Sequence, residues 1–137
     1  MAMIRSNEGE STSLADVQDN ATFPILYPTY LPPVTSVIAG RWWAGGEVVE
    51  LHIKTETGDL LRGRITIKEW TEAGVSSAGR PGRNANATRV KIGEGEWFWS
   101  PSEISMLEGR SNGLNIQILT VFPLEVAAEV AGSLAPQ

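Results

Sequence analysis

Residues 49–54, VELHIK, alternate apolar and polar side chains, and residues 61–68, LRGRITIK, do the same after a short polar segment. Successive side chains of a strand point to opposite faces, so each segment predicts a β-strand with one buried and one solvated face. Residues 56–59, ETGD, have the composition of a turn. The two segments therefore predict a hairpin. Gly63 indicates a bulge or space for a bulky neighbour such as tryptophan.

The strands that follow and precede this hairpin are predicted from β-branched and aromatic residues. They are residues 34–43, 88–92, 96–100, 104–110 and 114–121. Asn112-Gly113 is typical of a type I′ turn, and Ser13 is the predicted N-cap of a short helix. Apolar residues at helical spacing after Pro123 predict a C-terminal helix that includes Leu134. Strands followed by a helix, without βαβ alternation, indicate an α+β fold: a curved antiparallel sheet, a C-terminal helix packed on it and a short N-terminal helix.

Residues 23–33, FPILYPTYLPP, contain four prolines in an apolar segment. Proline fixes φ near −65° and favours extended geometry in the residue before it, so this segment predicts a rigid extended strap. Its apolar residues are too numerous to be left in water. They are Phe23, Ile25, Leu26, Tyr27, Tyr30 and Leu31. We expect the strap to lie across the core.

Length and composition limit the classes of function. The 137 residues suffice for one domain with a core, which we predict over residues 13–137, with residues 1–12 as a disordered tether. No cysteine is present, which excludes disulfides and thiolate chemistry. A net charge of −5 argues against nucleic acid as a partner, and the apolar runs are too short to span a bilayer.

No motif of catalysis, phosphate binding or metal binding occurs in the sequence, so we expect neither enzymatic activity nor a cofactor. His52 is the single histidine, whereas a zinc site uses three or four ligands. Its position on the polar face of a predicted strand favours a half-exposed structural residue over a catalytic one.

Five tryptophans raise the question of an aromatic binding groove. Trp97 and Trp99 share a strand face, and the neighbouring residues Trp42 and Trp43 point to opposite faces. Packing in the core is the favoured interpretation because tryptophan is highly buried on average. Trp43, Trp97 and Trp99 are the candidates for ligand contact.

Residues 71–86 form a long segment rich in Gly, Ser, Ala and Asn, which predicts a mobile surface loop. Loops on a rigid sheet often carry recognition, so its Arg80 and Arg83 are candidate contacts for an acidic partner. With four further basic residues they could gather into a basic patch, although a solvated strand face is the commoner outcome. These four are Arg62, Arg64, Arg89 and Lys91.

Three segments together resemble a known bacterial family. They are the strap, residues 90–99, VKIGEGEWFW, and residues 124–134, LEVAAEVAGSL. In this order the chain is similar to the extracytoplasmic domain of unknown function found in anti-sigma-factor-like and outer-membrane-lipoprotein-sorting-like proteins. The resemblance covers residues 14–134.

The resemblance implies a non-enzymatic sensory or partner-binding domain outside the cytoplasm, periplasmic or at the cell surface, tethered to the membrane by an anchor in the full-length protein. The family offers no catalytic residues to transfer. The partner is then a protein. The alternative is a carrier of an apolar ligand, such as a lipid or lipoprotein acyl chain, in a tryptophan-lined cavity between the sheet and the helix.

Overall fold

The computed structural model describes residues 7–55, 64–82 and 84–136. They form the α+β fold that the sequence predicts, with a large antiparallel sheet. The strands are β1 Leu26–Pro28, β2 Thr35–Trp43, β3 Val48–Thr55, β4 Ile65–Trp70, β5 Thr88–Ile92, β6 Gly95–Ser100, β7 Ser105–Ser111, β8 Leu114–Thr120 and β9 Leu134–Pro136. The helices are α1 Leu14–Asn20, α2 Val75–Ala78 and α3 Leu124–Gly132. No helix in the described ranges is long and apolar enough to cross a membrane.

Seven strands form the main sheet in the order β2-β3-β4-β8-β7-β6-β5, and β1 pairs with β9 in a separate two-stranded sheet. The main sheet consists of two meanders, β2 to β4 and β5 to β8. The pairing of β4 with β8 joins them. The segment between β4 and β5 must therefore travel from the middle of the sheet to its far edge.

One face of the sheet, the core face, is covered by α1, the strap and α3. The predicted alternation explains this arrangement, because Val49, Leu51 and Ile53 are all buried on this face. The core cluster also includes Val17 of α1 and Val130 of α3. The other face, which we call the polar face, carries the alternate residues of each strand.

The proline strap lies over the core as predicted. Ile25, Leu26 and Tyr27 are buried, whereas Tyr30 is 38% exposed. Two contacts fix the strap: β1 pairs with β9, and the Leu26 N–H donates to Oε1 of Glu69 on β4 at 2.8 Å. The strap therefore connects the core face with the end of the chain.

Three details bear on the sequence predictions. Residues 7–12 belong to the predicted disordered tether, whose disorder stays a prediction; they pair with the edge of β2, where the Thr12 N–H donates to the Gly40 carbonyl at 2.9 Å. Leu134 does not continue α3 but belongs to β9, because α3 ends at Gly132. The hairpin turn, Gly63 and the first residues of the second predicted strand lie outside the described residues, and β4 begins at Ile65.

Replacing Leu26 with alanine should test the strap. The side chain is 1% exposed, so its truncation should lower the free energy of unfolding by about 2–5 kcal/mol, measured by urea denaturation. The matched control is Tyr30→Ala in the exposed part of the same strap, which should stay within about 0.5 kcal/mol. A Leu26→Ala change as small as the control would show that the strap does not support the core.

Candidate functional site

The polar face contains a line of polar side chains that crosses the centre of the sheet from β2 to β7. Strand register places them directly beside one another, pair by pair. We call this line the polar row: Arg41, Glu50, Lys68, Gln117 and Glu108. Four of its five members are ionisable, so the row concentrates charge at a place where strand alternation allows solvent contact.

Glu50 is bonded from two sides. The Arg41 guanidinium reaches both carboxylate oxygens, with Nε 3.2 Å from Oε1 and Nη2 3.4 Å from Oε2. His52, two residues further along β3, has its Nε2 2.8 Å from the same Oε1. Burial acts to raise the pKa of Glu50, but the His52 hydrogen bond and the Arg41 charge outweigh it, so the pKa lies below its ordinary value. Glu50 is therefore an ionised, fixed acceptor.

Glu108, at the other end of the polar row, is held by uncharged donors. Nε2 of Gln117 donates to its Oε2 at 3.2 Å, and the Gly82 N–H donates to its Oε1 at 3.3 Å. Glu108 is 7% exposed. Its charge thus has no ion-pair partner at hydrogen-bond distance among the described residues, and its nearest neighbour of opposite sign in the row is Lys68.

Lys68 occupies the middle of the polar row. Its Nζ lies 5.2 Å from the centre of the Trp70 ring, within the range of a cation–π contact. In the part of the chain that the structure describes, no hydrogen bond involves this ammonium group. Burial lowers the pKa of Lys68 below its ordinary value, and the charges of Glu50 and Glu108 offset only part of that effect. The half-buried ammonium group therefore keeps three unused donors.

Residues 71–82 cover one end of the polar face. The Trp70 indole Nε1 donates to the Gly79 carbonyl at 2.7 Å, which fastens this segment to the sheet. Further on, Gly82 has φ +80°, and a Cβ there would lie 2.6 Å from the Phe98 ring. A glycine is thus required for this close approach. Within residues 71–86, where we predicted a mobile surface loop, the structure contains a 3-10 turn, Glu72–Gly74, and α2; the mobility stays a prediction.

A second ionisable group, Glu69, is buried on the core face. Register places it between Val49 and Ile116, and it is 0% exposed. Its Oε1 accepts the Leu26 N–H, whereas Oε2 has no partner among the described residues. Burial raises the pKa of Glu69 to about 8, against the smaller opposing effect of the Leu26 hydrogen bond. The carboxyl is mostly protonated at neutral pH.

Glu69 should make the protein less stable as the pH rises. Its folded pKa of about 8 lies above its ordinary value of 4.5, so its contribution is complete below pH 4.5 and is lost as the pH rises towards 8. In that window the free energy of unfolding should fall by about 1.4 kcal/mol per pH unit. Asp16 and Glu50 have lowered pKa values, so their carboxylates stabilise the folded protein. This stabilisation is lost on acidification at pH values below the window of Glu69.

The matched variant is Glu69→Gln, which keeps an oxygen for the Leu26 N–H and removes the titration. Urea denaturation of both proteins at several pH values between 5 and 8 provides the measurement. Wild type should show the slope and the variant should not. Parallel curves for the two proteins would contradict the assignment of this titration to Glu69.

Trp42 and Trp97 are buried in the core, as the favoured interpretation predicted. Trp70 is also buried, but on the polar face beside Lys68. The Trp97 ring lies so close to Gly109 that a Cβ there would be 2.2 Å from a ring atom; Gly109 thus accommodates a tryptophan as we had expected of Gly63. Trp43 and Trp99 are half-buried on opposite faces, and Arg41 stacks 5.0 Å from the Trp43 ring centre.

The described cleft between α1 and the strap contains no tryptophan. It is lined by Gln18, Phe23, Pro24, Ile25 and Tyr27.

Trp97 therefore offers little surface for a ligand, whereas ligand contacts at Trp43 and Trp99 stay predictions. The same holds for the tryptophan-lined cavity of the carrier alternative.

Two arginines of the predicted basic patch, Arg80 and Arg89, form separate ion pairs. Arg80 lies 3.1 Å from a carboxylate oxygen of Glu72, and both side chains are half exposed. Arg89 pairs with Glu96 across β5 and β6 at 3.7 Å. Exposed pairs of this kind contribute little stability. Arg83 and Arg62 lie outside the described residues, so the proposed partner contact at Arg83 stays a prediction.

Sequence reasoning missed the polar row because its members come from five strands whose order was unknown. The available signal was local: Glu50 and Lys68 both lie on the polar faces of the two predicted hairpin strands. Among the described residues, no group of three or more histidine, aspartate or glutamate side chains is placed to hold a metal ion.

Comparisons of the chain with protein-family models, curated proteins and solved structures found no match. The resemblance to the extracytoplasmic family therefore stays a prediction.

Proposed function

We propose that this protein is a non-enzymatic binding domain, a sensory or partner-binding module outside the cytoplasm, and that it recognises its partner through the polar row. The observation that carries the proposal is the Lys68 ammonium group, half-buried and without a hydrogen-bond partner among the described residues. A charge-assisted hydrogen bond to an ammonium group is stronger than one between neutral groups. A partner that supplies an acceptor oxygen to the half-buried Lys68 gains this bond on binding.

The state of the neighbouring carboxylates supports binding over catalysis. Glu50 is ionised and bonded to Arg41 and His52, and its lowered pKa makes it a weak proton acceptor at neutral pH. Glu108 is fixed by Gln117 and the Gly82 N–H. Side chains held in this way form a preorganised surface, which reduces the entropy lost on association.

The position outside the cytoplasm is the second part of the proposal. Its support is the resemblance of the strap, residues 90–99 and residues 124–134 to the extracytoplasmic family. The same resemblance suggests that a membrane anchor belongs to the full-length protein.

A cross-linking experiment tests the recognition surface. A benzophenone amino acid replaces Lys54, which is exposed on β3 two residues beyond His52 on the same face, and the protein is irradiated with a cell-envelope extract of its source. We expect one protein adduct. Adding Lys68→Gln should reduce its yield by about tenfold, which corresponds to about 1.4 kcal/mol of binding free energy.

The control probe replaces Glu125, which is exposed on α3 behind the core face, and should not give the adduct. The proposal fails if the adduct forms equally well with Lys68→Gln, or equally well from position 125.

The location is tested separately with the natural full-length gene product. Protease added to intact cells or to spheroplasts should degrade this domain, because an extracytoplasmic domain is accessible without lysis of the inner membrane. A cytoplasmic control protein should survive the same treatment. Protection of the domain until the cells are lysed would refute the extracytoplasmic placement. The binding surface is decided by the cross-linking experiment alone.

A further inference from the structure

The two outer strands of the main sheet, β2 and β5, have edges of different chemistry. β5 carries Arg89 and Lys91, which are both exposed. Charged side chains on an edge strand discourage pairing with another chain. β2 lacks this protection over its first half, because residues 23–40 contain no charged side chain. The β2 edge is therefore the one that favours the addition of a further strand.

The second half of the β2 edge is already paired within the chain. The Thr12 N–H donates to the Gly40 carbonyl at 2.9 Å, and the Gly40 N–H donates to the Thr12 carbonyl at 3.1 Å. This pairing stops at Thr12, because Ser13 is the N-cap of α1. In the part of the chain that the structure describes, residues 34–39 pair with no strand on this side. The edge thus accepts a strand and leaves room for another.

The unpaired half of the edge carries exposed apolar side chains. Val34 is 57% exposed and Ile38 is 48% exposed. Ile38 has no register partner on β3, because β2 bulges between Val37 and Ala39. Val34, directly before β2, has φ +57°, which is a strained conformation for a β-branched residue. Exposed apolar groups beside an unpaired strand edge are typical of a surface that pairs with another chain.

This segment is complementary to itself. In a twofold dimer, a contact from one residue to a second is repeated from the second to the first. With Ser36 at the axis of an antiparallel pair, Val34 of each copy lies opposite Ile38 of the other. The two exposed apolar side chains then cover each other, and no like charges meet because the segment has none. A second copy therefore supplies the uncharged, β-branched strand that this edge fits.

We propose that residues 34–39 pair antiparallel with the same residues of a second copy, which gives a symmetric dimer. The main-chain groups on the free edge gain hydrogen-bond partners, as in other cases of strand addition. The two seven-stranded sheets become one continuous sheet. Because the twofold axis is perpendicular to this sheet, the polar faces of both copies lie on the same side. The surface does not include Lys68, so a monomeric protein would leave the proposed recognition at the polar row unaffected.

Analytical ultracentrifugation of the full chain over a range of concentrations tests the dimer. Wild type should change from monomer to dimer as the concentration rises. Ile38→Lys places a charge in each half of the interface and should raise the dissociation constant at least about tenfold. The matched control is Ile104→Lys, because Ile104 is 40% exposed and lies outside β2. It should leave the dissociation constant unchanged.

Val34→Gly separates association from folding. Glycine adopts positive φ without strain, so the dilute, monomeric variant should keep its thermal unfolding midpoint. The dimer loses both contacts between Val34 and Ile38, so its dissociation constant should rise. A variant that dimerises as tightly as wild type would contradict the proposed register.

A single-cysteine experiment tests the position of the axis, since the chain contains no cysteine. Ser36→Cys should form a disulfide between two copies under mild oxidation, because directly opposed residues of an antiparallel pair lie within disulfide range. Thr88→Cys, exposed on β5, is the control and should not cross-link. The proposal is overturned if wild type stays monomeric at every concentration, if Ile104→Lys dissociates the dimer as strongly as Ile38→Lys, or if Thr88→Cys cross-links as fast as Ser36→Cys.

Discussion

The pairing of β4 with β8 is the constraint on which the rest of this structure depends. It joins two meanders that are each held by local hairpins, and it does so in one register, with Lys68 beside Gln117 and Glu69 beside Ile116. A shift of one residue would turn every side chain of β4 to the opposite face. The apolar face specifies this register, because Ile65 and Ile67 must reach the core. The register that buries these apolar side chains on the core face also places Lys68 beside Gln117 on the polar face.

Two adjacent residues of β4, one an acid and one a base, place their ionisable groups on opposite faces of the sheet. Glu69 faces the core, where desolvation favours its neutral acid, and Lys68 faces the polar side, where desolvation favours its neutral amine. Each retains unused hydrogen-bonding capacity among the described residues. One carboxyl oxygen of Glu69 accepts a hydrogen bond from the Leu26 N–H of the strap, which is a structural role. In the described part of the chain, the Lys68 ammonium group makes no corresponding bond to the backbone, so under the proposed function its donors are available to a partner.

Sequence reasoning succeeded where the determining interactions are local. Alternation predicted the strands, and Asn112-Gly113 both adopt positive φ as a type I′ turn requires. The middle of the strap is an extended strand in which Leu26 and Tyr27 are buried. The order of the strands depends on contacts between distant segments, so neither the polar row nor the burial of Glu69 was predicted. β9 was missed for a related reason: its three residues form a strand only because β1 is there to pair with them. Leu134 alone fits a helix equally well.

That pairing of β1 with β9 has a consequence for synthesis of the protein on the ribosome. Residues 26–28 must wait for residues 134–136 to be translated before they can pair. At about 5–20 residues per second the interval is roughly 5–20 s. During this time an apolar, proline-stiffened segment has no partner strand. Proline has no backbone N–H to donate to a growing β-aggregate. The prolines that shape the strap therefore also protect the nascent chain from aggregation during this interval.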